Sequence, residues 1–421
     1  MAGHVTGSVV HSQDHHGSHR HLLWSADTLN KDLRKAPHAI IVPTVRRPAH
    51  LAHAANLAAQ LECPLVTLHS GKYTNAKAAA WRLPKETDLL AIDILDPAHL
   101  RLPDFETSST LPLRFVRRAD TSAKRNLALI LSHLLGWQRI VFLDDDIFVD
   151  DVSHLEAAAG LLSMYSAVGL SIGGFPDNSV VCHAYRDVGG NQESFIGGGA
   201  LAVEMSRNHS FFPNIYNEDW FYLLDAKKGL QQLAVTGAVR QRPYDPYRTP
   251  GRARAQEFGD VLAEGVFWLL DQSRSAAEAG PGHWMDFLAR RERFIAHVLT
   301  MVEEAKLDPG EQSRMVAALK AAKGRLAHIT PRMCQDYLRA LSDDQERWRL
   351  HIEGLEKGLS LGAALRTLTK PGCPTLRWEI KNHRGSLPDK RTAASSTRSH
   401  SILNETRKHS PADRNPLGER V

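Results

Sequence analysis

Cysteine is scarce. The 421 residues include four, Cys63, Cys182, Cys334 and Cys373, widely spaced and without a C-x-x-C pair. Neither a disulfide framework nor structural zinc is expected, and a reducing cytoplasm is the compartment that fits. No apolar run reaches the 18 residues of a membrane-spanning helix, and the start has no charged segment leading into an apolar one, so neither a transmembrane segment nor export is expected. The net charge of +5 comes with no basic stripe interleaved with aromatics in the globular part, which argues against nucleic acid as a partner. Both ends lack apolar periodicity. Residues 1–35 carry six histidines within the first 21 positions, and residues 385–421 are rich in Ser, Arg and Lys. Both are expected to be disordered tails, and no functional site is expected among the early histidines.

What is present is a chain that is 43% hydrophobic, long enough for two or three domains. Residues 38–43, H-A-I-I-V-P, predict a strand, 49–61 a helix and 64–69 a second strand. This is a βαβ opening, hence a parallel sheet whose ligand crevice lies at the carboxyl ends of its strands. Thr44 and Arg46 fall in the first such loop and are candidates to touch a nucleotide. Further strands are expected at 88–95, 113–116, 167–173 and 180–185. Asp120 is the expected N-cap of a helix over 121–135 that ends at Gly136, with Leu127, Ile130, Leu131 and Leu134 as its buried stripe. Lys124, Arg125 and Asn126 occupy its first turns, where the helix dipole already favours an anion.

That helix leads into R-I-V-F-L-D-D-D, in which four apolar residues deliver Asp144, Asp145 and Asp146 to the end of a buried strand. Adjacent anions repel by roughly 1 kcal/mol or more per close pair at a surface, and Mg²⁺ or Mn²⁺ relieves this while attracting phosphate oxygens. A polar loop after a core strand is the plain alternative. A dehalogenase-type phosphatase box is set aside because Phe148 stands where Thr or Val belongs and the cluster is mid-chain. Gly197, Gly198 and Gly199 precede an apolar strand and permit close backbone approach to a ligand. Glu218 and Asp219 then open an apolar helical stretch, either as simple helix-start acids or as a general base towards a hydroxyl.

The ordered set is Thr-x-Arg, Lys-Arg-Asn, strand then Asp-Asp-Asp, Gly-Gly-Gly, Asn-Glu-Asp-Trp. It resembles the GT-A fold nucleotide-sugar glycosyltransferases, in particular family 2, over roughly residues 36–250. The resemblance implies a Rossmann-like mixed α/β sheet flanked by helices. It assigns a divalent cation, Mn²⁺ or Mg²⁺, to Asp144 and Asp146 and catalysis to Asp219 and Glu218. Donor contacts would come from Thr44, Arg46, Lys124, Arg125, Asn126, Asp145, Gly198 and Gly199. The activity implied is transfer from a UDP- or GDP-sugar to an unidentified hydroxyl acceptor, with inversion. The Gln-x-x-Arg-Trp motif of processive synthases does not follow Asp219, and between Trp220 and Trp268 no His offers a third metal ligand, for which Asp245 is a stand-in. The alternatives are a sugar-1-phosphate nucleotidyltransferase, disfavoured because 43–48 contains no glycine, and a non-catalytic domain binding a nucleotide or a partner.

Residues 253–384 form the third division, after the tail and a catalytic domain over 36–252. Helix-type spacing recurs at 256–270, 283–305, 310–327, 330–341 and 345–368, with little strand signal. This region is a candidate lid, acceptor site or homo-oligomer contact, and Trp268, Trp284, Trp348 and Trp378 are expected to be core.

Overall fold

The structure, a computed structural model, describes residues 12–26, 33–176, 178–207, 210–372 and 375–388, together with the backbone of 419–420. In chain order the first half runs β1 (Trp24–Ser25), β2 (Ala39–Thr44), α1 (Ala52–Gln60), β3 (Leu65–His69), α2 (Ala76–Arg82), β4 (Leu89–Ile94), α3 (Thr121–Leu135), β5 (Arg139–Leu143), β6 (Ile147–Phe148), α4 (Ser153–Leu161) and β7 (Ala167–Gly174). It continues as α5 (Val180–Asp187), β8 (Ala200–Glu204), α6 (Glu218–Leu223), β9 (Leu224–Asp225), β10 (Gly229–Leu230), β11 (Leu233–Gln241), α7 (Pro250–Asp271), α8 (Pro281–Glu304), α9 (Pro309–Leu326), α10 (Pro331–Glu353), α11 (Leu361–Thr367), β12 (Leu376–Lys381) and β13 (Glu419–Arg420).

The main sheet is mixed, in the order β12-β4-β3-β2-β5-β8-β7-β11-β1-β13, with β6 beside β11. β4, β3, β2 and β5 are parallel, whereas β8 runs antiparallel between β5 and β7. The chain builds outward from β2 through β3 to β4, then returns through α3 to place β5 on the opposite side of β2. A sheet that reverses direction in this way opens a crevice at the carboxyl ends of the two diverging strands. Thr44 ends β2 and Asp144 follows β5, so both loops meet at that crevice.

Alternation along the strands divides the core in two. Ile41, Ile140 and Phe142 face one layer with α3 and the later helices, while Ile40, Val42, Val141 and Leu143 face the other with α1, α2 and α4. The first layer is continuous from the sheet to Trp284 and Trp348, so the helices after residue 250 share a core with the sheet. The division at 252/253 falls just inside α7. Within the helical region, buried Arg291 of α8 bridges Glu257 (2.9 Å) and Asp260 (2.6 Å) of α7.

Several expectations need correction. Residues 12–26 are folded onto the body, with His15 and His19 buried, so the tail expected over 1–35 is ordered there. Of the tail expected over 385–421, residues 385–388 are ordered, with Leu387 buried, and the backbone of 419–420 pairs with β1, while 389–418 and 421 lie outside the described residues. Residues 180–185 form α5 because the Ser179 hydroxyl caps the Cys182 amide, and 113–115 is a 3-10 turn. The two helices expected at 330–341 and 345–368 are one long α10 followed by α11. β12 pairs antiparallel with β4 in a region expected to be strand-poor. Trp284 and Trp348 are core, but Trp378 on β12 is exposed. No helix among the described residues is long and apolar enough to cross a membrane.

Candidate functional site

α3 delivers its buried start to the crevice. Gly136, in the left-handed region at φ 75°, ends it and turns the chain into β5. Arg125, buried, donates through Nη2 to Asp144 Oδ1 (3.1 Å) and through Nη1 to Glu218 Oε1 (3.1 Å). It thus ties the end of β5 to the start of α6. Glu218 is also gripped by Arg117. Asn217, just before α6, adopts a left-handed conformation at φ 62°, one that Asn tolerates better than most residues.

The 197–199 turn joins the remaining parts. The Asp144 amide donates to the Gly199 carbonyl (2.9 Å), and the Gly198 amide donates to Asp219 Oδ2 (2.7 Å). A β-carbon on Gly198 would stand 2.5 Å from Arg125 Nη1, so only glycine allows this approach. Asp219 takes a second backbone bond, from the Trp220 amide (3.0 Å). Asp144, Arg125, Gly199, Glu218 and Asp219 line one cavity of about 390 Å³, within the range of small-ligand sites.

Electrostatics at the cavity are unbalanced towards the anions. Burial pushes the Asp144 carboxyl up to about 7, with Asp146 and Asp145 adding to the rise and Arg125 opposing it. Burial also raises Asp219, assisted by Glu218 and opposed by Arg125. On the other side of Asp144, Asp145 accepts from Thr44 Oγ1 (2.5 Å) and Arg46 Nη1 (2.5 Å), and Asp146 accepts from Arg46 Nη2 (2.9 Å). Five carboxylates, Asp144, Asp145, Asp146, Glu218 and Asp219, sit among three guanidiniums, those of Arg46, Arg117 and Arg125, and the cavity wall adds Glu193, Asp260 and Glu264 against Arg252. Hard oxygen ligands with surplus negative charge suit Mg²⁺ or Mn²⁺, so Asp144 and Asp146 fit such an ion in ligand type.

Not every candidate reaches the cavity: Thr44, Arg46, Asp145, Asp146 and Gly198 border the same loops but are not part of its wall. Lys124 is buried and spent on the Thr44 carbonyl (2.9 Å) and Asp120 (3.1 Å), so Asp120 pairs with a side chain and makes no side-chain cap on α3. Asn126 exchanges hydrogen bonds with the Phe212 backbone (2.9 and 2.8 Å) and braces that loop. Asp245 accepts from the Tyr247 amide (2.9 Å) and is not part of the wall.

The sequence reading missed Arg117, Asn178, Gln256 and Asp260, as well as Ser18 and His19, all of which line the cavity. Arg117 follows a stretch taken for a strand. Ser18 and His19 reach the site through partners some 175 to 250 residues away: Ser18 Oγ donates to Glu193 (2.5 Å), and His19 lies 3.0 Å from Glu264.

No protein-family model and no curated protein sequence matches the chain. Among solved structures it is similar to a mannosyltransferase from Pyrobaculum calidifontis in complex with GDP-Man and Mn²⁺, at 14% identity and a TM-score of 0.35, over 78% of this chain and 88% of that one. It is also similar to a protein from Desulfovibrio desulfuricans G20 assigned as a nucleotide-diphospho-sugar transferase, at 10% identity and a TM-score of 0.27, over 62% and 98% of the two chains. Likenesses this loose carry no weight beside the geometry of the cavity.

Proposed function

We propose that the chain is a glycosyltransferase of the GT-A type that moves a sugar from a UDP- or GDP-sugar to a hydroxyl acceptor with inversion. The observation that carries this reading is the meeting of Asp144, at the carboxyl end of β5, with Asp219, at the start of α6, in one cavity bridged by Arg125 and the 197–199 turn. In this reading Asp144 and Asp146 hold Mn²⁺ or Mg²⁺, which supplies charge neutralisation for a diphosphate leaving group. Arg46, the most exposed of the three guanidiniums, exchanges Asp146 for a phosphate oxygen.

Asp219 is the better candidate for the base. Its two carboxylate bonds come from backbone amides, and its raised pKa makes its carboxylate a stronger proton acceptor. Glu218, held by two arginines, positions Arg125 and α6. The test is calorimetry with UDP- and GDP-sugars, with and without Mn²⁺. Binding is expected to need Mn²⁺ and to vanish in Asp144→Ala plus Asp146→Ala. Binding that ignores the metal and survives the double substitution would refute the reading.

A further inference from the structure

Asp271, the last residue of α7, is nearly buried and faces three imidazoles from residues 16–21. His16 Nδ1 lies 2.5 Å and His19 Nδ1 2.8 Å from its Oδ2. His21 Nε2 lies 3.2 Å from Oδ1 in an orientation that makes no hydrogen bond, so Oδ1 is a buried carboxylate oxygen without a hydrogen-bonding partner. The ligand atoms of His16, His19 and Asp271 all fall within 4.8 Å of one another.

The surroundings fix the rings in the manner of metal ligands. His19 places its other nitrogen, Nε2, 3.0 Å from buried Glu264. With the proton on Nε2 and donated to that carboxylate, Nδ1 turns its lone pair towards Asp271, the carboxylate–imidazole–metal arrangement that sets tautomer and basicity. His16 is clamped by stacking on Trp268, with centroids 3.7 Å apart. A lone pair and a carboxylate oxygen at such a distance require a proton or a cation between them. Zinc bonds to nitrogen and oxygen are about 2.0–2.1 Å, which sets tetrahedral ligand atoms roughly 3.3 Å apart, so admitting an ion means moving the His16 and His19 nitrogens away from Oδ2, which they approach to 2.5 and 2.8 Å, by well under 1 Å.

We propose that His16, His19 and Asp271, with His21 or water as the fourth ligand, bind a Zn²⁺ ion that pins the N-terminal segment to α7. Mixed imidazole and carboxylate ligation favours zinc over the hard cations suited to Asp144 and Asp146. The segment is also held by Gly17, whose carbonyl accepts from the Glu193 amide (2.7 Å) and where a β-carbon would collide with the Asn191 carbonyl, by Asp14 on Arg293 (2.7 Å) and by β1 pairing with β11. Because Ser18 and His19 belong to the cavity wall, the ion fixes one side of the candidate site.

The experiment uses the full chain without a histidine tag, loaded with Zn²⁺, desalted and analysed for metal. About one zinc per chain is expected in the wild type and in Asp144→Ala plus Asp146→Ala, which separates this site from the proposed donor site. Asp271→Asn and His16→Gln are each expected to lose it, together with the visible absorption of four-coordinate Co²⁺ in the cobalt-loaded protein. His16 is one-third exposed, so its variant reports even where Asp271→Asn fails to fold. Chelation is expected to speed tryptic cleavage after Arg20 at least tenfold, and Zn²⁺ to restore resistance. Zinc retained in both variants would mark adventitious binding by other histidines and overturn the proposal. So would a zinc-free wild type whose trypsin resistance ignores the chelator, since that describes an ion pair alone.

Discussion

Gly198 has no room for a β-carbon because Arg125 lies against it, and the atoms that would be struck are the guanidinium that links Asp144 to Glu218. Gly198→Ala is therefore expected to push that guanidinium aside. An overpacked site costs about 1–3 kcal/mol, whereas a 1 Å misplacement of catalytic groups costs on the order of 100-fold in rate. Steady-state kinetics and thermal unfolding of the same preparation would compare the two, and unchanged kinetics would show that Arg125 does not position the site. Asp219→Asn addresses the chemistry itself. Transfer is expected to fall by about 10²–10⁴, the usual contribution of a general base, with donor affinity nearly intact. A collapse of donor affinity in calorimetry would instead make Asp219 a donor or metal ligand. At this scale what local patterns made legible was proximity: Asp144, Arg125, Gly199, Glu218 and Asp219, singled out in the sequence, line one cavity. What local pattern could not show is that Lys124 and Asn126 are already occupied, Lys124 by Asp120 and the distant Thr44 carbonyl and Asn126 by the distant Phe212 backbone.

Among the elements, β12 shows both what was legible and what was not. Leu376, Trp378 and Ile380 alternate with polar residues, a period-2 signal masked by the Pro and Gly around it, and the strand is completed only by its register with β4. The segment after it is fastened by Asp88, which accepts from the Arg384 amide (2.8 Å), the Ser386 amide (3.0 Å) and the Ser386 hydroxyl (2.5 Å). Burial alone would raise the Asp88 carboxyl, but these donors outweigh it and hold the pKa below the ordinary value. The sign follows from linkage: a carboxylate depressed in the folded state contributes stability that is fully present above its unfolded pKa near 4 and lost as pH falls through the folded value. The hydrogen-exchange protection of residues 384–387, relative to the intrinsic rate at each pH, is expected to fall below about pH 4. Asp88→Asn should show the same release at neutral pH, at about 1–3 kcal/mol for the unsatisfied groups. Protection that is independent of both would remove Asp88 from this role. α5 was misjudged for a related reason: Val180, Val181 and Tyr185 favour a strand by type, but Ser179 caps the first turn and decides for helix.

For the whole molecule, a sheet followed by helices invited a division into a catalytic domain and an appendage, and the parallel opening, the central β5 and the all-helical stretch were all visible in apolar spacing. The shared core was not, because Trp284 and Trp348 meet the sheet layer only in three dimensions. One cooperative unfolding transition is expected, with equal calorimetric and van't Hoff enthalpies. Two resolved transitions would instead support the division at 252/253. Asp260, in the cavity wall and ion-paired with Arg291, gives the helices after residue 250 a direct hold on the site. The position of β12 in the chain also bears on biosynthesis. Its partner β4 is an apolar strand whose outer edge is covered, among the described residues, by 376–381. Translation at about 5–20 residues per second leaves that edge bare on the nascent chain for roughly 15–60 s, a window in which its unpaired backbone groups are open to edge-to-edge pairing with another chain.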